Sequence, residues 1–99
     1  MKSARPYPSK FSKALQYARK QRNLSQEDFG VISSRTYIST LERGLKSPTL
    51  TKVEDLASVM TLHPLTLLSL AYLKNQTFAE EQELFSLVSR QLDSLRKVS

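Results

Sequence analysis

The side chains able to do chemistry gather in one stretch. Ser34-Arg35-Thr36-Tyr37-Ile38-Ser39-Thr40-Leu41-Glu42-Arg43-Gly44 puts Arg35, Thr36, Ser39, Thr40 and Arg43 on one side of a helical cylinder. Ile38 and Leu41 fall on the opposite side. The outward set offers hydroxyls and two guanidiniums. Its chemistry is hydrogen bonding and charge, not bond making. The serines form no triad, because none has a His and carboxylate pattern around it. His63, the single histidine, precedes Pro64 and is expected to cap a helix or stand exposed; no second ligand-type cluster lies near it. The absence of cysteine excludes disulfides, thiolate zinc sites and cysteine nucleophiles. With glycine only at positions 30 and 44, a glycine-rich phosphate loop is excluded too. Neither enzyme activity, metal nor cofactor is expected.

Charge separates a partner-binding face from a merely solvated one. Residues 1–46 hold ten Lys or Arg against three Asp or Glu, whereas residues 47–99 hold five against six. The excess is therefore concentrated where the polar helix face lies. A basic half of this kind attracts nucleic acid, an anionic membrane or acidic proteins. Clustering favours nucleic acid. No apolar run approaches the roughly 18 residues of a membrane span. The basic start of the chain lacks the apolar segment of a secretory signal.

Six helical segments and no strand pattern position these residues. Residues 1–8 form a basic arm, because Pro6 and Pro8 forbid a helix there. Ser9 can cap a first helix reaching Gln21, with Phe11, Ala14, Leu15 and Ala18 inward and Asn23 as a left-handed end. Ser25 caps a short second helix, about Gln26 to Ile32, in which Asp28 holds the N3 position and Phe29 and Ile32 face the core. Gly30 inside that helix implies a close backbone approach. Ser33 or Ser34 caps the third, which Gly44 ends, and Ile38, Leu41 and Leu45 point inward. Thr49 caps a fourth helix, with Leu50, Val53, Leu56, Ala57 and Met60 on one face. Pro64 opens a fifth, which is apolar nearly all round and extends to about Lys74.

Residues 76–99 form a last amphipathic helix. Thr77 and Glu80 have capping-box spacing. Phe85, Val88, Leu92 and Leu95 recur at coiled-coil a/d spacing, supplemented by Leu84, Leu87 and Val98. This stripe either folds back on the rest or pairs with a second copy. Two heptads are short for an independent coiled coil, but an appended amphipathic helix needs burial, and a homodimer is the favoured expectation.

Taken together, Leu24-Ser25-Gln26-Glu27-Asp28, Tyr37-Ile38-Ser39-Thr40-Leu41-Glu42-Arg43-Gly44 and Ser47-Pro48-Thr49-Leu50 resemble the Cro/C1-type, XRE-like helix-turn-helix regulators and phage repressors. The resemblance covers about Phe11 to Leu73. It implies an all-α, five-helix, lambda-repressor-like DNA-binding domain over residues 9–75, with the last helix additional. It makes residues 34–43 the recognition helix. Ser34, Arg35, Thr36 and Thr40 then face base edges, where a guanidinium can grip guanine O6 and N7 and threonine methyls can meet thymine methyls. Gln26, Tyr37, Ser39, Arg43, Lys46 and Arg19 sit where the family touches phosphates. Glu42 matches an acid that pairs with Arg19, bracing the recognition helix. The segment between Gln26 and Ser34 is about two residues shorter than the family pattern, so the second helix or the turn after it must be compressed.

The resulting expectation is a dimeric repressor, located in the cytoplasm at the nucleoid, that binds a pseudo-palindromic double-stranded DNA operator. The alternative is the antitoxin half of a toxin–antitoxin pair, whose partner is a protein toxin and which also represses its own operon. A prophage repressor and a restriction–modification controller are further settings for the first reading.

Overall fold

The computed structural model describes residues 10–97; the arm at 1–8, the Ser9 cap and Val98 lie outside the described residues. Described residues form five α-helices and one short 3-10 helix, with no strand among them. These are α1 (Phe11–Gln21), the 3-10 helix (Gln26–Phe29), α2 (Arg35–Glu42), α3 (Leu50–Val59), α4 (Pro64–Tyr72) and α5 (Phe78–Arg96). The fold is all-α, as the periodicity requires. α1 packs on α2 and α4, α3 on α4, and the 3-10 helix on α2 and α3. Leu15 and Ala18, Phe29, Ile38 and Leu41, Val53, Leu56, Ala57 and Met60, and Leu67 form the core these elements share.

Helix ends follow the local chemistry. The hydroxyls of Ser34, Thr49 and Thr77 accept the N–H of Tyr37, Lys52 and Glu80, and His63 Nδ1 accepts that of Leu65 at 3.0 Å. Each satisfies a donor that a helix N-terminus leaves free. α1 starts without a side-chain cap: Lys10 holds that position, and its N–H donates to Ala71 O of α4 at 2.7 Å. Three helices end in the same way. Asn23, Gly44 and Thr61 take positive φ (58°, 75° and 57°), and the next residue donates back to Arg19, Thr40 and Ala57 respectively. This is the Schellman arrangement. Glycine at 44 meets the backbone demand without strain, whereas Thr61 is β-branched and meets it at a cost.

Several expectations need correction. The second helix is one 3-10 turn, not an α-helix to Ile32. The N–H groups of Ile32 and Ser33 both bond Phe29 O (3.0 Å each) and close the turn at once, which is where the compression is absorbed. Phe29, fully buried, anchors it. At Gly30 a Cβ would stand 3.2 Å from Glu27 O, so the close backbone approach comes from its own preceding turn. Leu45 and Leu50 are 63% and 68% exposed: the reversal at Gly44 turns Leu45 outward, and Leu50, first residue of α3, begins before that helix meets the core. Leu65 of α4 is also exposed, while Leu67, Ala71 and Leu73 are buried.

Glu80 departs from a reciprocal capping box. Its carboxylate accepts the N–H of Lys74 at 2.6 Å and of Asn75 at 2.8 Å, not that of Thr77. It thereby fixes the turn into α5. These bonds hold its carboxyl below the ordinary value of 4.5. A lowered folded value means the stabilisation is complete above about pH 4.5 and is lost as pH falls through the folded value. Wild type and Glu80→Gln should therefore differ in melting temperature near pH 7 and converge as the pH falls through the folded value; a pH-independent difference would assign the turn's stability elsewhere.

Candidate nucleic-acid interface

α2 carries the site. Ile38 and Leu41 are fully buried on its inner side. Arg35 and Thr36 are exposed and Ser39 and Thr40 half-buried along its outer side. Ser34 stands at the N-cap, with its hydroxyl accepting from Tyr37 N–H at 3.1 Å. Thr40 donates its hydroxyl hydrogen to Thr36 O at 2.8 Å, which leaves its methyl for an apolar contact. Gln26 of the 3-10 helix joins Arg35, Thr36 and Ser39 around a shallow groove of about 300 Å³. Arg43 and Lys46 are exposed at the far end of α2 and in the following loop. Tyr37 does not share the groove. It packs against the core, with Lys52 Nζ 5.5 Å from its ring centroid.

The aim of α2 is set by a part-buried polar cluster. Arg19 Nε donates to Glu42 Oε2 at 2.6 Å and Nη2 to Oε1 at 3.0 Å, a bidentate pair. Arg19 Nη1 donates to Leu24 O at 2.8 Å. Gln26 Nε2 donates to Glu42 Oε1 at 3.1 Å. The Glu42 carboxylate thus ties α1, the 3-10 helix and α2, and Arg19 adds the loop after α1 through Leu24 O. The side chains of Arg19 and Glu42 are 11% and 3% exposed, and the hydrogen bond that Arg19 donates to Glu42 holds the guanidinium above its already high ordinary value, against the opposing effect of burial. All three Arg19 nitrogens point at protein acceptors, so the geometry assigns Arg19 to bracing before any phosphate. Gln26 spends one amide N–H on Glu42 and keeps the second.

Two positioning residues carried no signal in the helix periodicity. Lys52 of α3 donates to Ile32 O at 2.9 Å and pins the turn that leads into α2. Arg22 Nε donates to Met60 O at 3.0 Å and joins the ends of α1 and α3. A long cation on an outer helix face reads as a solubility residue. Only the tertiary fold reveals the carbonyl it caps.

A polar helix held outward by part-buried braces, with a second short helix packed against it, defines a helix-turn-helix domain. The helix-turn-helix family model matches residues 15–67, more than half of the chain, and the chain belongs to that family in its Cro/C1-type, XRE-like form. No curated protein and no solved structure matches it. The domain is that of a DNA-binding transcription regulator. No helix among the described residues is long and apolar enough to cross a membrane.

Glu42→Gln tests the brace. It leaves Arg19 largely buried beside a neutral amide and should lower folding stability by about 2 kcal/mol, read as a fall in melting temperature. Its effect on DNA sequence preference should be smaller; an unchanged melting temperature would remove Glu42 from the scaffold.

Proposed function

We propose that the protein is a dimeric repressor that reads a pseudo-palindromic operator through Ser34, Arg35, Thr36 and Thr40. The observation that carries this reading is the groove where Arg35, Thr36 and Ser39 converge with Gln26. Hydroxyls and an exposed guanidinium beside one another suit base edges and phosphates together. Gln26, through its second amide N–H, and Ser39, Tyr37, Arg43 and Lys46 supply the phosphate contacts. Arg19 contributes through the brace, and through a phosphate only with the two N–H bonds it has left. The basic half faces the polyanion, and no membrane is involved. A cytoplasmic protein on the nucleoid is part of the same proposal.

α5 supports the dimer. It buries no residue, and Phe85, Val88, Leu92 and Leu95 stand 47%, 43%, 49% and 70% exposed. A stripe left open at coiled-coil spacing is one that a second copy covers. Leu84, which flanks the same stripe, is half-buried and Leu87 is half-buried beside it, so the first turns of the helix touch the domain while Val88, Leu92 and Leu95 stay open. Two copies would present recognition helices to half-sites about 34 Å apart. The same stripe supports the second reading, an antitoxin whose toxin occupies it.

Fluorescence anisotropy against the DNA upstream of the gene and a scrambled duplex, over a salt series, tests the regulator. Wild type should prefer the upstream duplex, and Arg35→Ala should lose about 1–3 kcal/mol of that preference while keeping its fold. Equal binding to both duplexes by wild type would refute sequence-specific recognition of that DNA. In sedimentation, wild type should run at twice the 11.3 kDa chain mass and Val88→Glu/Leu92→Glu at once. A monomeric wild type that captures the neighbouring gene's product through this stripe would favour the antitoxin.

A further inference from the structure

We propose that Glu27 is a specificity filter acting through Arg35. It keeps the guanidinium turned to the base-reading side, and it penalises docking on DNA that offers Arg35 no guanine. The inference rests on the DNA-binding reading above.

Residues 1–46 contain three carboxylates, Glu27, Asp28 and Glu42. Two of them are committed to the scaffold. Asp28 accepts the Ser25 N–H at 2.7 Å and the Ser25 hydroxyl at 3.1 Å, and Glu42 holds Arg19 and Gln26. Glu27 is different. Its side chain is 73% exposed on the 3-10 helix, and its Oε1 lies 4.0 Å from Nη1 of Arg35, itself 69% exposed as the first residue of α2. An acid so placed, in the most basic part of the chain and beside the groove, works against attraction to a polyanion. It is also too exposed to stabilise the fold appreciably. Its position makes sense as a control on how Arg35 is used.

The geometry supplies the control. An ion pair on the Nη1 side leaves the Nε and Nη2 edge of the guanidinium open, and that edge can grip guanine O6 and N7. On a duplex with guanine at that step, Arg35 serves the base and Glu27 at once, and the carboxylate stays paired as water leaves the interface. On a duplex without it, Arg35 gains most by swinging to a phosphate. Glu27 is then left unpaired against the DNA backbone in a drier, less screened setting, where an uncompensated charge is costly. The penalty falls on the wrong sequences, which is how a repulsive element raises specificity.

The experiment uses the full chain, duplexes enriched by wild type from a randomised pool, and scrambled duplexes of equal length. Glu27→Gln should keep its melting temperature, bind the scrambled duplex about fivefold tighter with a steeper salt dependence, and lower the ratio of specific to scrambled affinity by about fivefold. Glu27→Asp should recover part of that ratio. With Arg35→Ala already present, adding Glu27→Gln should leave the ratio unchanged within about twofold, because the filter has lost its instrument. An unchanged ratio in Glu27→Gln overturns the proposal. So does an equal shift with and without Arg35, which would reduce Glu27 to a general negative charge. A wild type that enriches no sequence defeats the DNA reading and this inference together, whereas a selective wild type beside an indifferent Glu27→Gln defeats this inference alone.

Discussion

The bidentate bond between Arg19 and Glu42 governs the interface because of where its two ends are anchored. Arg19 lies on α1 next to the buried Ala18, and Glu42 is the last residue of α2, beside the buried Leu41. Apolar packing alone would fix the distance between these helices but tolerate rotation and sliding, since dispersion is weakly directional. The fork of a guanidinium on a carboxylate is directional. It sets the rotation of α2 about its axis, and with it the direction of Arg35, Thr36, Ser39 and Thr40. Leu24 O and the Gln26 amide complete the shell, so that no buried side-chain polar atom lacks a partner among the described residues. A half-satisfied cluster here would have cost more than an apolar one.

This brace also explains how so short a second element suffices. A 3-10 helix of four residues has no stability of its own. It is held from outside by Phe29 in the core, by Ser25 and Asp28 at its start, by Gln26 on Glu42, and by Lys52 on the carbonyl of Ile32 just beyond it. Shortening the element removed turns without removing anchors. α2 keeps its place because its two ends are fixed independently, by the Ser34 cap and Lys52 at one and Glu42 at the other.

Much of this architecture is written locally. A hydroxyl before an apolar period, a glycine after one and a proline at a first turn mark ends by short-range chemistry, and they do so at Ser34, Thr49, Gly44 and Pro64. Buried positions follow from period where a helix is long enough to define a face, as at Leu15, Ile38, Leu41, Val53 and Leu56. Where the chain reverses within a few residues the period is undefined. That is why the periodicity does not give the extent of the second helix or the exposure of Leu45 and Leu50. The Arg19–Glu42 pairing was legible only by family resemblance, because nothing in the spacing of two residues 23 apart implies contact. Lys52 on Ile32, Arg22 on Met60 and Glu80 on the Lys74–Asn75 turn had no local signal at all. Each joins a flexible side chain to a backbone group whose availability depends on the finished fold.

The remaining asymmetry lies between the two halves of the chain. Residues up to Met60 hold nearly the whole core and the basic face, whereas α5 contributes no buried residue and leaves its apolar stripe open. A lone two-heptad helix gains little by such a stripe in water. Its cost in exposed apolar area is repaid only when something covers it. Glu80 holds the turn that leads from α4 into α5, so the first turns of α5 are tied to the domain. A partner seated on Phe85, Val88, Leu92 and Leu95 would therefore transmit a defined orientation to α4 and, through the packing of α4 on α1, to the Arg19 brace and α2. For two copies to read both halves of one operator, this mechanical link is as necessary as the apolar stripe, since a loosely tethered dimerising helix would raise local concentration without fixing the spacing of the recognition helices.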